Sequence, residues 1–246
     1  MTQAVENRLG GIENLALIPG TMGAAPIQNI GAYGVELREV FTSLTAFNLQ
    51  TGSFETFDAA ACEFGYRDSV FKRRLRGKVI ICDVSMRLTA SHHNLNLAYS
   101  GLSRHLSEKG IETPSIRDIF DAVVEIRRSK LPDPGDIGNA GSFFKNPVLE
   151  REEFNRLESE YPDVPSYKIG ANEYKVPAAW LIEKAGWKGK QVGNVGTYEN
   201  QALVLVNHGE ASGREIYDHA RNIRASVLQI FGIDLHPEVN IVGTHS

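Results

Sequence analysis

Ser142 stands where small residues give way to aromatics, in the run Gly138-Asn139-Ala140-Gly141-Ser142-Phe143-Phe144. Two prolines ahead of it, Pro132 and Pro134, forbid helix, and the glycines let a backbone approach a ligand closely or turn with positive φ. A lone hydroxyl so placed suits the mouth of a pocket; a tight turn leading into a strand is the plain alternative. No G-x-S-x-G frame surrounds Ser142, and no histidine is placed recognisably to activate it, so serine hydrolysis is a poor reading. A second stretch, Pro19 to Gly34, carries glycines at 20, 23, 31 and 34 and few charges. It can present consecutive backbone N–H groups to an anion or a flat ring, because no side chain intervenes. Its alternative is a tightly packed turn-helix-turn. Neither G-x-G-x-x-G nor a Walker A pattern occurs, so Rossmann and P-loop readings fail. The histidines form no H-E-x-x-H pair, and Cys62 and Cys82 form no zinc pattern.

The elements that must hold these stretches are read from apolar period and punctuation. Residues 40–57 read as two strands joined by a turn at Thr51-Gly52. A short helix over 59–64 delivers Gly65-Tyr66-Arg67-Asp68-Ser69. The run Val79-Ile80-Ile81 opens a strand reaching Leu88, apolar enough to lie centrally in a sheet. One helix begins near Ser100. Another starts at the capping box of Ser115 and Asp118, with Ile116, Ile119, Phe120, Val123 and Val124 on one face. It ends in Arg127, Arg128 and Lys130, cations that suit a helix C-terminus. Beyond Ser142, helices are expected over 150–161 and, after Pro177, over 178–185 up to Gly186. A buried strand over 202–206 precedes a helix capped by Ser212 and Glu215 and stopped by Gly232. Residues 238–242 read as a last short strand.

A length of 246 residues allows two modest domains with a core each. Apolar content of 42% and charged content of 23% are ordinary for a globular chain. A net charge of −4 gives no reason to expect nucleic acid or an anionic membrane as partner. The basic run Lys72, Arg73, Arg74, Arg76, Lys78 reads as a solvated hairpin. Two isolated cysteines fit a reduced cytoplasm. No apolar run approaches a membrane span, and the first residues show neither the basic nor the apolar part of a signal peptide.

Four stretches carry a resemblance: Ile18 to Gly34, Phe64 to Ser69, Lys130 to Pro147 and His236 to Val239. In order and spacing they resemble the UDP-N-acetylenolpyruvoylglucosamine reductase family, flavoenzymes of peptidoglycan precursor synthesis, and the likeness covers nearly the whole chain. The fold so implied is α+β. Residues 1–135 would be part of an FAD-binding region of the vanillyl-alcohol-oxidase-like (PCMH) kind. Residues 136–234 would form a compact α/β substrate domain, and 235–246 a strand returning to the FAD region.

The resemblance also implies the reaction and its residues. An enolpyruvyl double bond on UDP-N-acetylglucosamine is reduced, with hydride passing from NADPH through FAD to the terminal vinyl carbon. Charge builds on the neighbouring carbon and its carboxylate, and this enolate-like species must take a proton. Arg67 matches the family's arginine; a planar, permanent cation suits a carboxylate growing more anionic. Glu238 matches its C-terminal glutamate, which can help when protonated or bridged by water. Ser142 matches the proton donor, since only a carbanionic enolate is basic enough to draw a proton from a hydroxyl. Flavin contacts carry over to Ile18, Pro19, Gly23, Ala24, Ile27, Gly31, Ile81 and Arg127. Substrate contacts carry over to Tyr66, Tyr99, Lys130, Asn146 and Gln201, with Lys130 and Asn146 offering donors to the diphosphate. Tyr99 marks the subgroup with an extra tyrosine loop.

Several positions depart from the pattern. Ala24-Ala25 stand where some relatives carry serines, so phosphate contacts there fall to backbone N–H groups. Gly101 replaces an aspartate common in the subgroup, and Asn240 replaces a flavin-contact arginine of some relatives. The family also begins with a segment holding a glycine-asparagine loop and half of the FAD cleft, which the 246 residues are expected to lack. Two readings follow: a reductase completed by a separate or upstream N-terminal segment, or a non-catalytic remnant that binds UDP-sugar at most.

Overall fold

The computed structural model describes residues 1–243 and divides into two compact units, Met1–Arg127 and the residues from Arg128 onward. The first opens with helix α1 (Thr2–Glu6) and passes through the glycine-rich stretch, coiled as a 3-10 helix over Met22–Gln28. A two-stranded ribbon follows, β1 (Gly31–Ala32) with β2 (Val35–Glu36). Strands β3 (Phe41–Asn48) and β4 (Ser53–Asp58) form the expected hairpin, and helix α2 (Ala59–Cys62) leads out of it. Asp58 starts α2 by accepting from the Ala61 N–H at 2.8 Å, an N-cap bond. Strand β5 (Val79–Met86) completes the antiparallel sheet in the order β4-β3-β5.

The expectation that β5 is central fails among the described residues, where it pairs with β3 alone. Its apolar start misled because Ile80, opposite Phe47, is 55% exposed. Nor is the basic run a hairpin. It follows a 3-10 turn (Val70–Lys72), and its arginines fold back onto acids: Arg73 lies 3.2 Å from Glu63 and 3.0 Å from Asp68, and Arg74 lies 2.9 Å from Glu63.

Helices α3 (Ser100–Glu108) and α4 (Ile116–Lys130) close the first unit, α4 running just past its boundary. The expected capping box is formed: the Ser115 N–H donates to Asp118 at 2.8 Å and the Asp118 N–H to Ser115 Oγ at 3.3 Å. Period does the rest, laying Ile119, Phe120, Val123 and Ile126 against Leu102 and Leu106 of α3.

The second unit builds a four-stranded sheet in the order β10-β11-β12-β6 and a three-stranded one, β7-β9-β8. In chain order these are β6 (Gly138–Ser142), β7 (Val148–Glu150), β8 (Tyr167–Lys168), β9 (Glu173–Lys175), β10 (Gln191–Val192), β11 (Val195–Thr197) and β12 (Val204–Asn207). Helices α5 (Arg151–Glu160), α6 (Ala178–Lys184) and α7 (Gly213–Phe231) accompany them. Ser212 and Glu215 cap α7, and Gly232 ends it at φ +69°, a left-handed conformation that suits glycine. Its inner face, Ala220, Ile223, Val227 and Phe231, shares a core with Leu181, Ile182, Phe144 and Leu235.

The division falls after Arg127, where a boundary was expected at 135, and residues 235–243 are grouped with the second unit. The strand expected over 238–242 reduces to one antiparallel bridge, Phe144 with Pro237. Pro237 has no N–H to extend a ladder.

One buried side chain ties second-unit stability to pH. His219 of α7 is 4% exposed, with Nε2 3.1 Å from Thr197 Oγ1 and its ring edge-on to Trp187 at 5.2 Å. Burial, with the charge of Lys190, holds its pKa below the ordinary 6.5. The unfolded chain therefore binds the proton more readily. Its stability contribution is full above about pH 6.5 and is lost as pH falls toward the lower folded value. Denaturation midpoints are expected to drop more steeply between pH 7.5 and 5.5 for the native protein than for His219→Gln; equal slopes would contradict this.

Candidate active site

In the first unit, Tyr66 and Arg67 occupy the tip of a tight turn. Its feet are joined by Gly65 N–H to Asp68 O at 3.0 Å and Asp68 N–H to Gly65 O at 3.3 Å. Arg67 takes φ +51°, uncommon for a residue with a side chain, and its guanidinium lies 5.3 Å from the Tyr66 ring centroid. It also donates to the Gly31 carbonyl. Gly31 must lack a side chain, for a Cβ there would come within 2.8 Å of Arg67 Nη1 and 3.0 Å of the Val35 carbonyl. The Gly31 and Arg67 motifs are thus one structure. Ile27 joins them through its carbonyl, which accepts from Ser69 Oγ at 2.6 Å.

The start of the same glycine-rich stretch lines a cavity of about 350 Å³ with Ile18, Pro19, Ala24, Leu17, Thr21 and Phe120 on its wall. Gly23 packs onto β5, where a Cβ would sit 3.3 Å from the Ile81 carbonyl. Arg127 donates to the Leu17 carbonyl at 3.4 Å and bonds the Tyr33 hydroxyl. Burial lowers the pKa of Arg127, and its buried Nε has no hydrogen-bond partner. Tyr33 is pushed up to about 12, chiefly by burial and against the pull of Arg127. Its ring meets Tyr99 edge-on at 5.0 Å.

Three residues here escaped the sequence reading. Tyr33 links Arg127 to Tyr99, and Asn14 anchors Tyr33 by donating to its carbonyl at 2.9 Å and to that of Asn96 at 3.0 Å. Asn29 is fully buried in the left-handed conformation, with φ 44°. The available signal was an asparagine in an apolar run, Ile27-Gln28-Asn29-Ile30, since buried amides require partners.

In the second unit, Ser142 ends β6 opposite Val204, while Asn139 pairs with Val206. Two residues, Ala140 and Gly141, thus face the single Leu205, and Gly141 takes φ +70°. This is a β-bulge with glycine in the left-handed position, a device that re-aims the following side chain. Asn139 braces it, its Oδ1 accepting from the Gly141 N–H at 3.0 Å.

Just beyond Ser142, the Phe143 N–H donates to the Leu203 carbonyl at 2.8 Å and the Phe143 carbonyl accepts from the Glu238 N–H at 2.8 Å. Lys145 N–H to His236 O at 2.9 Å closes the same ladder. Ser142 and Glu238, far apart in sequence, are thereby held one pairing step apart, each half-buried. Asn146 Oδ1 accepts from the Ala178 N–H at 2.9 Å at the start of α6. Gln201 accepts from the Leu203 N–H at 3.3 Å. Lys130, the last residue of α4, is exposed.

The site residues thus fall into two groups. A glycine-rich loop interlocked with an arginine turn lies in one unit, and a serine beside a glutamate-bearing tail lies in the other. Both groups stand on an α+β framework. A family model described as the C-terminal domain of UDP-N-acetylenolpyruvoylglucosamine reductase matches residues 133–242. Curated proteins of that name agree along nearly the whole chain. The one from Flavobacterium johnsoniae is 44% identical over 238 residues, 97% of this chain and 71% of that protein. The one from Burkholderia ambifaria is 51% identical over 236 residues, 95% and 67%, and that from Pseudomonas aeruginosa 49% over 238 residues, 97% and 70%. The chain belongs to the UDP-N-acetylenolpyruvoylglucosamine reductase family, and it spans about two-thirds of the length of these relatives. A crystal structure of the Thermus caldophilus reductase aligns with a TM-score of 0.62 at 21% identity, over 97% of this chain and 66% of that one, and so speaks for the fold.

Proposed function

We propose that these residues belong to a cytoplasmic, FAD-dependent reductase that uses NADPH to convert UDP-N-acetylglucosamine enolpyruvate to UDP-N-acetylmuramate, for peptidoglycan synthesis. The observation that carries the reading is the interlock of Gly31, Ile27, Arg67 and Ser69. It fuses two motifs of a family to which the chain is 44–51% related.

The first unit is suited to a flavin dinucleotide. Gly31 and Gly23 let the loop pack tightly against Arg67, Val35 and the Ile81 carbonyl, where a Cβ would collide or crowd. The orphaned Nε of Arg127 is a buried donor awaiting an acceptor. Ile18, Pro19, Ala24 and Ile27 would supply the apolar and backbone wall. FAD, when bound, supplies the hydride that NADPH has given it.

Everything else falls to the chain. Arg67 holds the substrate carboxylate and stabilises it as charge accumulates there, an effect larger in the transition state than in the ground state. Ser142 gives its hydroxyl proton to the carbon beside that carboxylate. Glu238 supports the enolate oxygen, directly when protonated or through water. Tyr66 and Tyr99 flank the substrate, and Lys130, Asn146 and Gln201 offer donors to its diphosphate and sugar.

Cofactor loading tests the reading. FAD of this family lies between two lobes, and the aligned relatives are longer than the span they share with this chain. Residues 1–246 produced alone are therefore expected to purify colourless or nearly so. Each pyrophosphate donor lost costs about 1–3 kcal/mol, and ~1.4 kcal/mol is tenfold in affinity. Supplying the N-terminal lobe of a relative, in cis or as a second chain, should restore flavin absorbance and reductase activity together. Flavin-loaded protein that oxidises NADPH but leaves the enolpyruvyl substrate unreduced would contradict the assignment.

A further inference from the structure

Arg67 is held in an uncommon place, and the structure shows what holds it. The turn that carries it is fastened at both feet to the glycine-rich loop. At the first foot, Asn29 Nδ2 donates to the Gly65 carbonyl at 3.1 Å and to Glu36 Oε2 at 3.0 Å. At the second, Ser69 Oγ donates to the Ile27 carbonyl at 2.6 Å, and the same oxygen accepts from the Phe71 N–H at 3.2 Å. Asn29 and Ser69 are both fully buried. The Asn29 amide is used at both ends, since Oδ1 accepts from the Arg38 N–H at 3.0 Å. Only one orientation satisfies all three bonds, because Gly65 O and Glu36 can only accept and Arg38 N–H can only donate.

Backbone geometry restricts the residue further. At φ 44° position 29 admits glycine, asparagine or aspartate and few others. Glycine would keep the bend without the clamp, and aspartate would present an acceptor where Gly65 and Glu36 need a donor. Two residues on, the Gly31 carbonyl receives the Arg67 guanidinium. One loop therefore fixes both the base of the Arg67 turn and the tip of its side chain.

We propose that Asn29, assisted by Ser69, is a positioning residue for Arg67, setting where the guanidinium meets the substrate carboxylate. This rests on the role given to Arg67 above, and the tests separate the two claims. The first needs neither flavin nor turnover. In ¹⁵N-labelled residues 1–246, the Arg67 guanidinium signal, identified by its loss in Arg67→Lys, is expected to show the slowed Cζ–N rotation of a bonded group. Asn29→Gly and Asn29→Asp should restore fast, averaged rotation. Should the position-29 variants fail to fold, Ser69→Ala releases the second foot alone and should loosen the same signal to a smaller extent. An Arg67 signal unchanged in every folded variant would overturn the clamp.

The second test uses the flavin-loaded enzyme. Asn29→Gly should lower turnover about 10- to 100-fold, with KM for the enolpyruvyl substrate within about threefold and flavin reduction by NADPH nearly unchanged, as expected for loss of an interaction realised in the transition state. In an Arg67→Ala background the same substitution should cost nothing more, since residues acting through one another are non-additive. Multiplying losses would overturn the positioning role, whereas full activity of Arg67→Ala by itself would overturn the functional reading on which it stands.

Discussion

Ser142→Ala is expected to leave flavin reduction by NADPH nearly intact and to stall product formation. In the proposed reaction the hydroxyl is required only when the enolate takes its proton, so the first half-reaction should not register its loss. Positioned proton transfer contributes on the order of 10²- to 10⁴-fold, and the two residues on either side cannot replace it, because Ala140, Gly141, Phe143 and Phe144 carry no exchangeable side-chain proton. The fold should tolerate the change. Ser142 pairs with Val204 through backbone, and the bulge before it is fixed by Gly141 and Asn139. Stopped-flow traces of the two half-reactions check the outcome. Lost flavin reduction with normal reoxidation by substrate would reverse the assignment.

Glu238→Gln should be nearly as severe in the same half-reaction. The tail carries Glu238 beside Ser142 through the bond from its own N–H to the Phe143 carbonyl, which the substitution leaves alone. Glutamine keeps the shape but cannot release a proton or accept charge as a carboxyl does. Removing one group that stabilises a developing oxyanion costs about 10²- to 10³-fold. Turnover should fall by that order while substrate affinity changes little, which steady-state kinetics with a binding titration would resolve. Unchanged turnover would reduce Glu238 to a residue that merely ends the tail.

How much of this was legible in the sequence depends on the range of the interactions. The capping boxes at Ser115 and Ser212, and the apolar faces of α4 and α7, are written within a few residues, and they appear where local pattern puts them. Gly141 was legible as a backbone of positive φ, although the bulge it makes required knowing that β12 lies alongside. Long-range facts were not readable. Ile80 looked like a central-strand residue because hydrophobicity does not say how many neighbours a strand has. Asn29 looked like one polar residue in an apolar loop, since its partners Gly65, Glu36 and Arg38 are brought to it only by folding. The bridge of Pro237 to Phe144 joins residues far apart in the chain, and no local pattern announces it. The motif residues Arg67, Ser142 and Glu238 were identifiable by resemblance, while the contacts that aim them were visible only in three dimensions.

The most direct measurement of the central claim is a single turnover in deuterated solvent. Flavin-loaded enzyme containing these residues is reduced with NADPH under anaerobic conditions and mixed with UDP-N-acetylglucosamine enolpyruvate. Flavin absorbance reports reoxidation, and the product is analysed for isotope. Reoxidation stoichiometric with UDP-N-acetylmuramate, carrying solvent deuterium at the carbon beside the carboxylate and blocked in Ser142→Ala, is the result predicted. A flavin that stays reduced at saturating substrate, or a product without deuterium at that carbon, would contradict the account.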